Sequence, residues 1–214
     1  MRFGFFDQLP CASGFSERQR YRDIMAQIEL GDELGFDTVW LGELHFSRAF
    51  SILADPLMVL AAAAQRTRRI RLGTAVTLLP LHNPVKIAEE AAITDILSDG
   101  RLELGCGRGT APLHYEGYAI PQEESRERFE ESLQMILHAW TDERLTYQGK
   151  YFQVNDLPLA PKPVQKPHPP IRIAANTING SARIEKARLK WSSPSHTVSN
   201  PISSPSSICA MMSR

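Results

Sequence analysis

The sequence predicts an α/β protein built on parallel strands. Short apolar stretches alternate with helical patterns through the first two-thirds of its 214 residues. Two helices begin with the same kind of pair, Asp55-Pro56 and Asn83-Pro84, in which a capping residue precedes proline. A strand-like stretch over 100–109 leads into a glycine-rich loop. A closed (β/α)8 barrel and an open doubly wound sheet both fit, and both place chemistry in the loops after the carboxyl ends of the strands.

The elements alternate regularly as far as Thr141 and then become irregular. Strands are predicted at 2–6, 38–41 and 70–79, in the part of 100–109 that precedes its glycine-rich loop, and at 171–175. Helices are predicted from Ser16 to Gly35, from Pro56, from Pro84 to near Gly100, and from near Ser125. A hairpin is predicted over 145–154, and six prolines predict an extended connector over 158–170.

Composition is typical of a soluble globular protein, with 43% hydrophobic and 22% charged residues. No apolar run approaches the ~20 residues that span a bilayer, so no membrane partner is expected. The amino terminus has too short an apolar core for a signal peptide. Three cysteines, odd in number and far apart, argue against disulfides or a zinc site and favour a cytoplasmic location.

Charge is distributed unevenly along the chain. Residues 1–156 carry 16 Lys and Arg against 23 Asp and Glu, whereas 157–214 carry 8 against one. Such a split can mark a nucleic-acid-binding arm, but these basic residues are thinly spread among Pro and Ser without aromatic side chains. We therefore expect no nucleic-acid partner. Of the 16 residues in 192–207, 11 are Ser or Pro, which predicts disorder.

Three polar side chains fall in loops after predicted strands: His45, His82 and Arg108. Glycines around Arg108 allow the backbone to approach a ligand, and its guanidinium suits a phosphate; the alternative is a tight turn with a surface arginine. His45 is a candidate general acid or base, or a loop histidine packed on Phe46. Glu43 either orients His45 or caps the next helix. His82 either faces a cofactor or packs in its capping loop.

Ordered motifs over residues 1–177 resemble one family. They are MRFGFF (1–6), GFDTVWL (35–41), ELHF (43–46), LGTAV (72–76), HNPV (82–85), GRLELGCGRG (100–109), SR (125–126) and PIRIAAN (170–176). These motifs resemble the bacterial luciferase-like, flavin-dependent monooxygenases. The resemblance implies a (β/α)8 barrel that binds reduced FMN or, in some branches, a deazaflavin.

The resemblance also implies site residues. Arg108 and Arg126 are expected to pair with the FMN phosphate, with Asn176 and Thr177 in the same loop region. For Arg126 the alternative is surface ion pairing with neighbouring glutamates. The peptide between Ala75 and Val76 falls where the family often has a non-proline cis bond beneath the flavin ring.

Two departures from the family limit what the resemblance implies. The luciferases carry a catalytic histidine directly after the glutamate, and Leu44 occupies that place here; this argues against light-emitting aldehyde oxidation and leaves oxygenation of another substrate. The chain also supplies only about five of the eight strands. An incomplete (β/α)8 barrel over 1–177 is therefore expected, followed by a divergent Ser/Pro-rich tail over 178–214. Open sheet edges favour self-association into a homo-oligomer.

Three functions remain open at this point. The first is a monooxygenase that acts on a small molecule with O2 and FMN reduced by a partner reductase, or an inactive fragment of such an enzyme. Its catalytic residues would be Glu43 and His45. The second is a noncatalytic flavin-binding protein. The third is an interaction module that pairs through its strand edges. No metal cluster, Ser-His-Asp set or Walker-type loop is evident in the sequence.

Overall fold

A computed structural model describes residues 3–174, which form a parallel sheet flanked by helices. The strands are β1 (Gly4–Asp7), β2 (Thr38–Leu41), β3 (Arg71–Thr74), β4 (Thr77–Leu78), β5 (Leu102–Gly107), β6 (Leu145–Gln148), β7 (Gln153–Leu157) and β8 (Ile171–Ile173). The helices are α1 (Glu17–Glu33), α2 (Pro56–Ala64), α3 (Pro84–Leu97), α4 (Pro112–Gly117) and α5 (Ser125–Thr141). Short 3-10 turns occupy Leu79–Leu81 and Gln122–Glu124. None of the helices within 3–174 could cross a bilayer.

The main sheet has the order β1, β2, β3, β5, β8, and every neighbouring pair is parallel. β4 continues from β3 and also pairs with β5. The predicted α/β class with about five parallel strand positions is therefore confirmed. The single strand predicted over 70–79 is wrong in one respect, because Ala75 and Val76 leave the extended ladder and divide it into β3 and β4. The predicted hairpin is confirmed as the antiparallel pair β6–β7.

The predicted helix starts are present as side-chain caps. Ser16 accepts a hydrogen bond from the backbone N–H of Gln19 at 3.1 Å, ahead of α1. Asp55 caps α2 and Asn83 caps α3, each followed by proline at the first helical position. Such caps satisfy backbone N–H groups that have no partner within the helix. Gly35 follows α1 with φ +80°, the left-handed conformation that glycine adopts at helix ends.

Two apolar cores join the strands to the helices. One lies among α1, α2, β2 and β3, and includes Ile28, Leu41 and Leu72. The other lies among α3, α5 and β5, and includes Leu104 and Trp140. Alternate strand residues supply these cores, as the two-residue side-chain repeat requires.

The other strand face carries charge. The buried carboxylate of Glu103 in β5 accepts hydrogen bonds from Arg71 of β3 at 2.6 Å and from Arg172 of β8 at 2.9 Å. This ion-paired group connects three strand positions across the sheet. The predicted boundary at Thr177 and the predicted disordered segment 178–214 lie outside the described residues.

Candidate active site

Loops that follow β2, β4 and β5 meet at the carboxyl edge of the sheet. Glu43 and His45 follow β2, His82 follows β4, and Arg108 follows β5. Neighbouring parallel strands end at the same edge, which explains why residues so distant in sequence come together. The structure brings Glu43, His45 and His82 into direct contact and places Arg108 on the adjoining loop.

Glu43 is at the centre of this group and is almost completely buried. Its Oε1 lies 2.8 Å from Nε2 of His45 and 2.7 Å from Nε2 of His82, while Oε2 accepts the backbone N–H of Leu78 at 2.8 Å. Burial opposes ionisation, but hydrogen bonds from the two imidazoles outweigh it and hold the pKa of this carboxyl below its usual value. Glu43 is therefore an ionised acceptor to which both histidines donate.

Of the two roles predicted for Glu43, orienting His45 or capping the next helix, the contact with His45 is present. Asp55, not Glu43, caps the following helix. The Nε2–H of His45 points to Glu43, so its Nδ1 is the acceptor of a hydrogen bond from the Tyr118 hydroxyl at 3.2 Å. His45 also contacts Phe46, with ring centroids 5.6 Å apart, so the predicted packing contact is present as well.

His82 contacts Glu43, and both side chains line a cavity of about 140 Å³ at the amino ends of α2 and α3. Burial lowers the pKa of this imidazole, but the hydrogen bond and charge of Glu43 outweigh burial and raise it; Asp55 and Glu90 add to the effect. Its contact with Glu43 is neither of the two roles that the sequence suggested.

Two functional-site residues were missed by sequence reasoning. His114 and Tyr118 come from α4 and the residue after it, a six-residue helix that the sequence analysis did not predict. The His45 ring stands perpendicular to that of His114, with centroids 5.4 Å apart. Burial, with the nearby charge of His45, lowers the pKa of His114. The only local signal was Pro112 at the first helical position, without a side-chain cap.

The end of β5 is shaped by glycine. A Cβ on Gly107 would lie 2.3 Å from Cγ2 of Val76, so the Ala75–Val76 segment packs directly against the strand end. The Ala75–Val76 peptide is cis, as the resemblance predicted. Arg108 follows Gly107 and is exposed, and its carbonyl accepts a hydrogen bond from the Tyr115 hydroxyl.

Of the other residues predicted to contact the FMN phosphate, Arg126 has a different partner in the structure, and two are outside the described residues. Arg126, on the first turn of α5, forms an ion pair with Glu130 at 2.9 Å, with both side chains about half exposed. This is the surface pairing left open by the sequence. Asn176 and Thr177 lie outside the described residues. Cys106 packs in the core, and burial raises the pKa of its thiol.

Comparison with known sequences gives one family. The family model described as luciferase-like monooxygenase matches residues 1–187. Among curated proteins, the oxygenase component of a flavin-dependent trigonelline monooxygenase from Acinetobacter baylyi is 32% identical over 182 residues, which cover 84% of this chain and 50% of that protein. The chain spans about half the length of the curated relatives it matches.

Solved structures agree with the sequence comparison. Monooxygenase RslO1 from Streptomyces bottropensis superposes with a TM-score of 0.83 at 33% identity, over 87% of this chain and 57% of that one. The oxygenating constituent of 3,6-diketocamphane monooxygenase from Pseudomonas putida, solved with FMN, gives 0.74 at 25% identity, over 81% and 51%. The prediction of an incomplete (β/α)8 barrel is confirmed.

Proposed function

Because the chain belongs to the luciferase-like monooxygenase family, we propose that it binds reduced FMN and serves the oxygenation of a small organic substrate by O2. The observation that carries this proposal is the convergence at one sheet edge of the Glu43–His45–His82 group, the Ala75–Val76 segment and the Arg108 loop. A partner reductase would supply the reduced flavin, in keeping with the name of the trigonelline relative as an oxygenase component.

The residues at this edge fit a flavin mononucleotide. Gly107 has no side chain, and Val76 packs into the space beside it, so the Ala75–Val76 segment lies directly against the strand end that leads into Arg108. The Arg108 guanidinium is exposed and makes no hydrogen bond or ion pair with the part of the chain that the structure describes. Its planar donors match a phosphate. We assign the phosphate to Arg108 first, with Arg126, Asn176 and Thr177 as the further contacts that the resemblance implies.

The bound flavin supplies the electrons that activate O2, and the protein orients the reactants and excludes water. His45 and Glu43 are the proposed catalytic residues. The Glu43 carboxylate fixes the His45 ring with Nε2–H towards itself, so Nδ1 is the atom that takes up or returns a proton. Glu43 also stabilises the imidazolium that forms when Nδ1 is protonated, because its negative charge is buried beside the ring.

Flavin titration tests the proposal directly. The purified chain should bind FMN, and Arg108→Ala should weaken binding roughly 10- to 100-fold, because a charge-assisted hydrogen bond contributes about 1.5–3 kcal/mol. A deazaflavin titrated in parallel distinguishes the two cofactor classes.

Arg66→Ala is the matched control for that titration. Arg66 forms an exposed ion pair with Glu29 at the opposite end of the strands, so its loss should leave FMN affinity unchanged. FMN affinity equal in wild type and the Arg108 variant would contradict the phosphate assignment. A folded chain that binds no flavin would contradict the proposed function itself.

A further inference from the structure

Glu43, His45 and His82 form a set of metal-ligating side chains. One ligand atom from each lies within 4.8 Å of the other two. The donors are one carboxylate oxygen and two imidazole nitrogens, a combination that binds Zn²⁺ with an open position for water. From this geometry we propose that the group is a binding site for a divalent first-row transition metal, for which Zn²⁺ is the probe.

A metal ion can bind only after the Glu43, His45 and His82 side chains move slightly apart. Glu43 Oε1 lies 2.7 and 2.8 Å from the two Nε2 atoms, because protons join them. Ligands at 2.0–2.2 Å from a tetrahedral Zn²⁺ are separated by about 3.3–3.6 Å, so each ring nitrogen must move about 0.5–0.9 Å away from Oε1. His82 has room to do so, because its side chain is 25% exposed and borders the cavity.

The surrounding contacts already orient the ligands. The Leu78 N–H holds Oε2 of Glu43, which leaves Oε1 for the metal. The Tyr118 hydroxyl lies 3.2 Å from the second nitrogen of His45. Such outer hydrogen bonds are typical of metal-bound histidine and carboxylate. On binding, the proton of each neutral imidazole moves from Nε2 to Nδ1, and the Tyr118 oxygen becomes the acceptor for His45. If an imidazole carries protons on both nitrogens before the metal binds, it releases the Nε2 proton to solvent on binding.

The adjoining cavity gives the metal an entry route and a free coordination position. It is lined by Asp55 and Glu90, whose negative charges attract a cation, although Lys86 pairs with Glu90 at 3.2 Å. Thr77 lines the same cavity, is 1% exposed, and its hydroxyl has no hydrogen-bond partner among residues 3–174. A buried polar atom without a partner is uncommon, and a metal-bound water would satisfy it.

Metal binding would occupy the same atoms that the proposed proton transfer uses. With Glu43 and the Nε2 of His45 coordinated, the pair can no longer orient Nδ1 for proton transfer, so the metal would inhibit turnover. This consequence rests on the proposed function, whereas binding itself does not. Binding is therefore measured on the chain without flavin.

Calorimetric titration of the chelator-treated full chain with Zn²⁺ tests the site, in a Cys209→Ser background that removes a competing thiol. We expect one equivalent to bind, and His82→Gln to weaken binding at least tenfold, since even loss of an outer-shell partner costs 10–100-fold. Co²⁺ substitution should give visible absorbance typical of nitrogen and oxygen ligands, lost in the same variant.

Two controls make the result decisive. His138→Gln removes a surface histidine that pairs with Asp142 at 2.8 Å, and His114→Gln removes a histidine beside His45 that is not a ligand. Both should bind Zn²⁺ like wild type. Equal binding by wild type and the folded His82 variant would mean an adventitious ion only and would overturn the proposal, as would absence of binding to wild type.

Discussion

The hydroxyl of Tyr118 lies 3.2 Å from Nδ1 of His45, on the opposite side of the imidazole from Glu43. The imidazole is thus held at both nitrogens, by an ionised acceptor at Nε2 and by a donor at Nδ1. This arrangement fixes a single tautomer, because only a ring protonated at Nε2 satisfies both contacts. Tyr118 therefore contacts Nδ1, the atom to which the proposed function assigns proton transfer.

Tyr118→Phe should leave the fold intact and lower the free energy of unfolding by about 1 kcal/mol, the usual net contribution of one hydrogen bond. The ¹⁵N resonance of His45 Nδ1 should also shift, because the atom loses its donor. Tyr21→Phe removes a hydroxyl that donates to the Ile52 carbonyl at 2.6 Å, and so should cost similar stability without moving that resonance. An unchanged Nδ1 resonance in the Tyr118 variant would contradict the assigned hydrogen bond.

Acid stability should depend on Asp32, whose carboxylate accepts the backbone N–H groups of Ile70, Arg69 and Arg68 at 2.6, 2.8 and 3.0 Å. Burial opposes ionisation, but these hydrogen bonds outweigh it and lower the pKa of Asp32 in the folded chain. The stabilisation is then complete above the unfolded-state pKa of about 3.9 and is lost as pH falls through the lower folded-state value.

The measurement is urea unfolding of wild type and Asp32→Asn at several pH values. The variant should be less stable by about 1–3 kcal/mol at pH 7, and the difference should shrink as pH falls below about 4. Asp23→Asn, which removes a surface partner of Arg20, should show a small difference throughout. A difference between wild type and the Asp32 variant that stays constant down to acid pH would count against this explanation.

Gly105→Ala should be severely destabilising. A Cβ at this position would lie 1.8 Å from the Thr74 carbonyl oxygen, and that atom belongs to the backbone of the neighbouring strand. Strands β3 and β5 would have to separate, so we expect a loss of more than about 3 kcal/mol or no folded protein. Gly31→Ala provides the comparison, because the one close contact of its Cβ would be with the movable Phe5 ring at 2.7 Å, and Ile70 Cδ1 would lie at an ordinary 3.4 Å. Equal unfolding midpoints for the two variants would refute the steric argument.

The Cys106 thiol should resist modification in the native chain. It is fully buried in β5, and burial raises its pKa, so the reactive thiolate is scarce. A thiol-specific reagent followed by peptide mapping should label Cys106 only after urea is added. Rapid labelling of Cys106 without denaturant would show that the strand opens in the native state.

Local features were predictable because they depend on neighbouring residues. Asp55-Pro56 and Asn83-Pro84 specify helix starts through a side-chain cap and a fixed φ, and both are present. The loop positions of His45 and Arg108 followed from strand ends, and the cis peptide after Ala75 followed from the family resemblance.

Contacts between distant positions were not predictable in the same way. Glu43 and His82 are 39 positions apart, and nothing in either local pattern specifies that one oxygen accepts from two histidines. Tyr118 was missed because α4 is too short to show a helical repeat. The break at Val76 was read as continuous strand because residues 70–79 are mostly apolar or β-branched, and Thr74 and Thr77 on either side of it are themselves typical of strands.

The order of strands across the sheet follows their order along the chain, from β1 at one edge to β8 at the other. From β2 onward, each strand of this sheet therefore finds a hydrogen-bonding neighbour already synthesised, except β4, whose partner β5 follows it in the chain. During translation the sheet can be assembled progressively as the nascent chain leaves the ribosome, and within residues 3–174 the contact of Arg172 with Glu103 is the last cross-sheet ion pair to form.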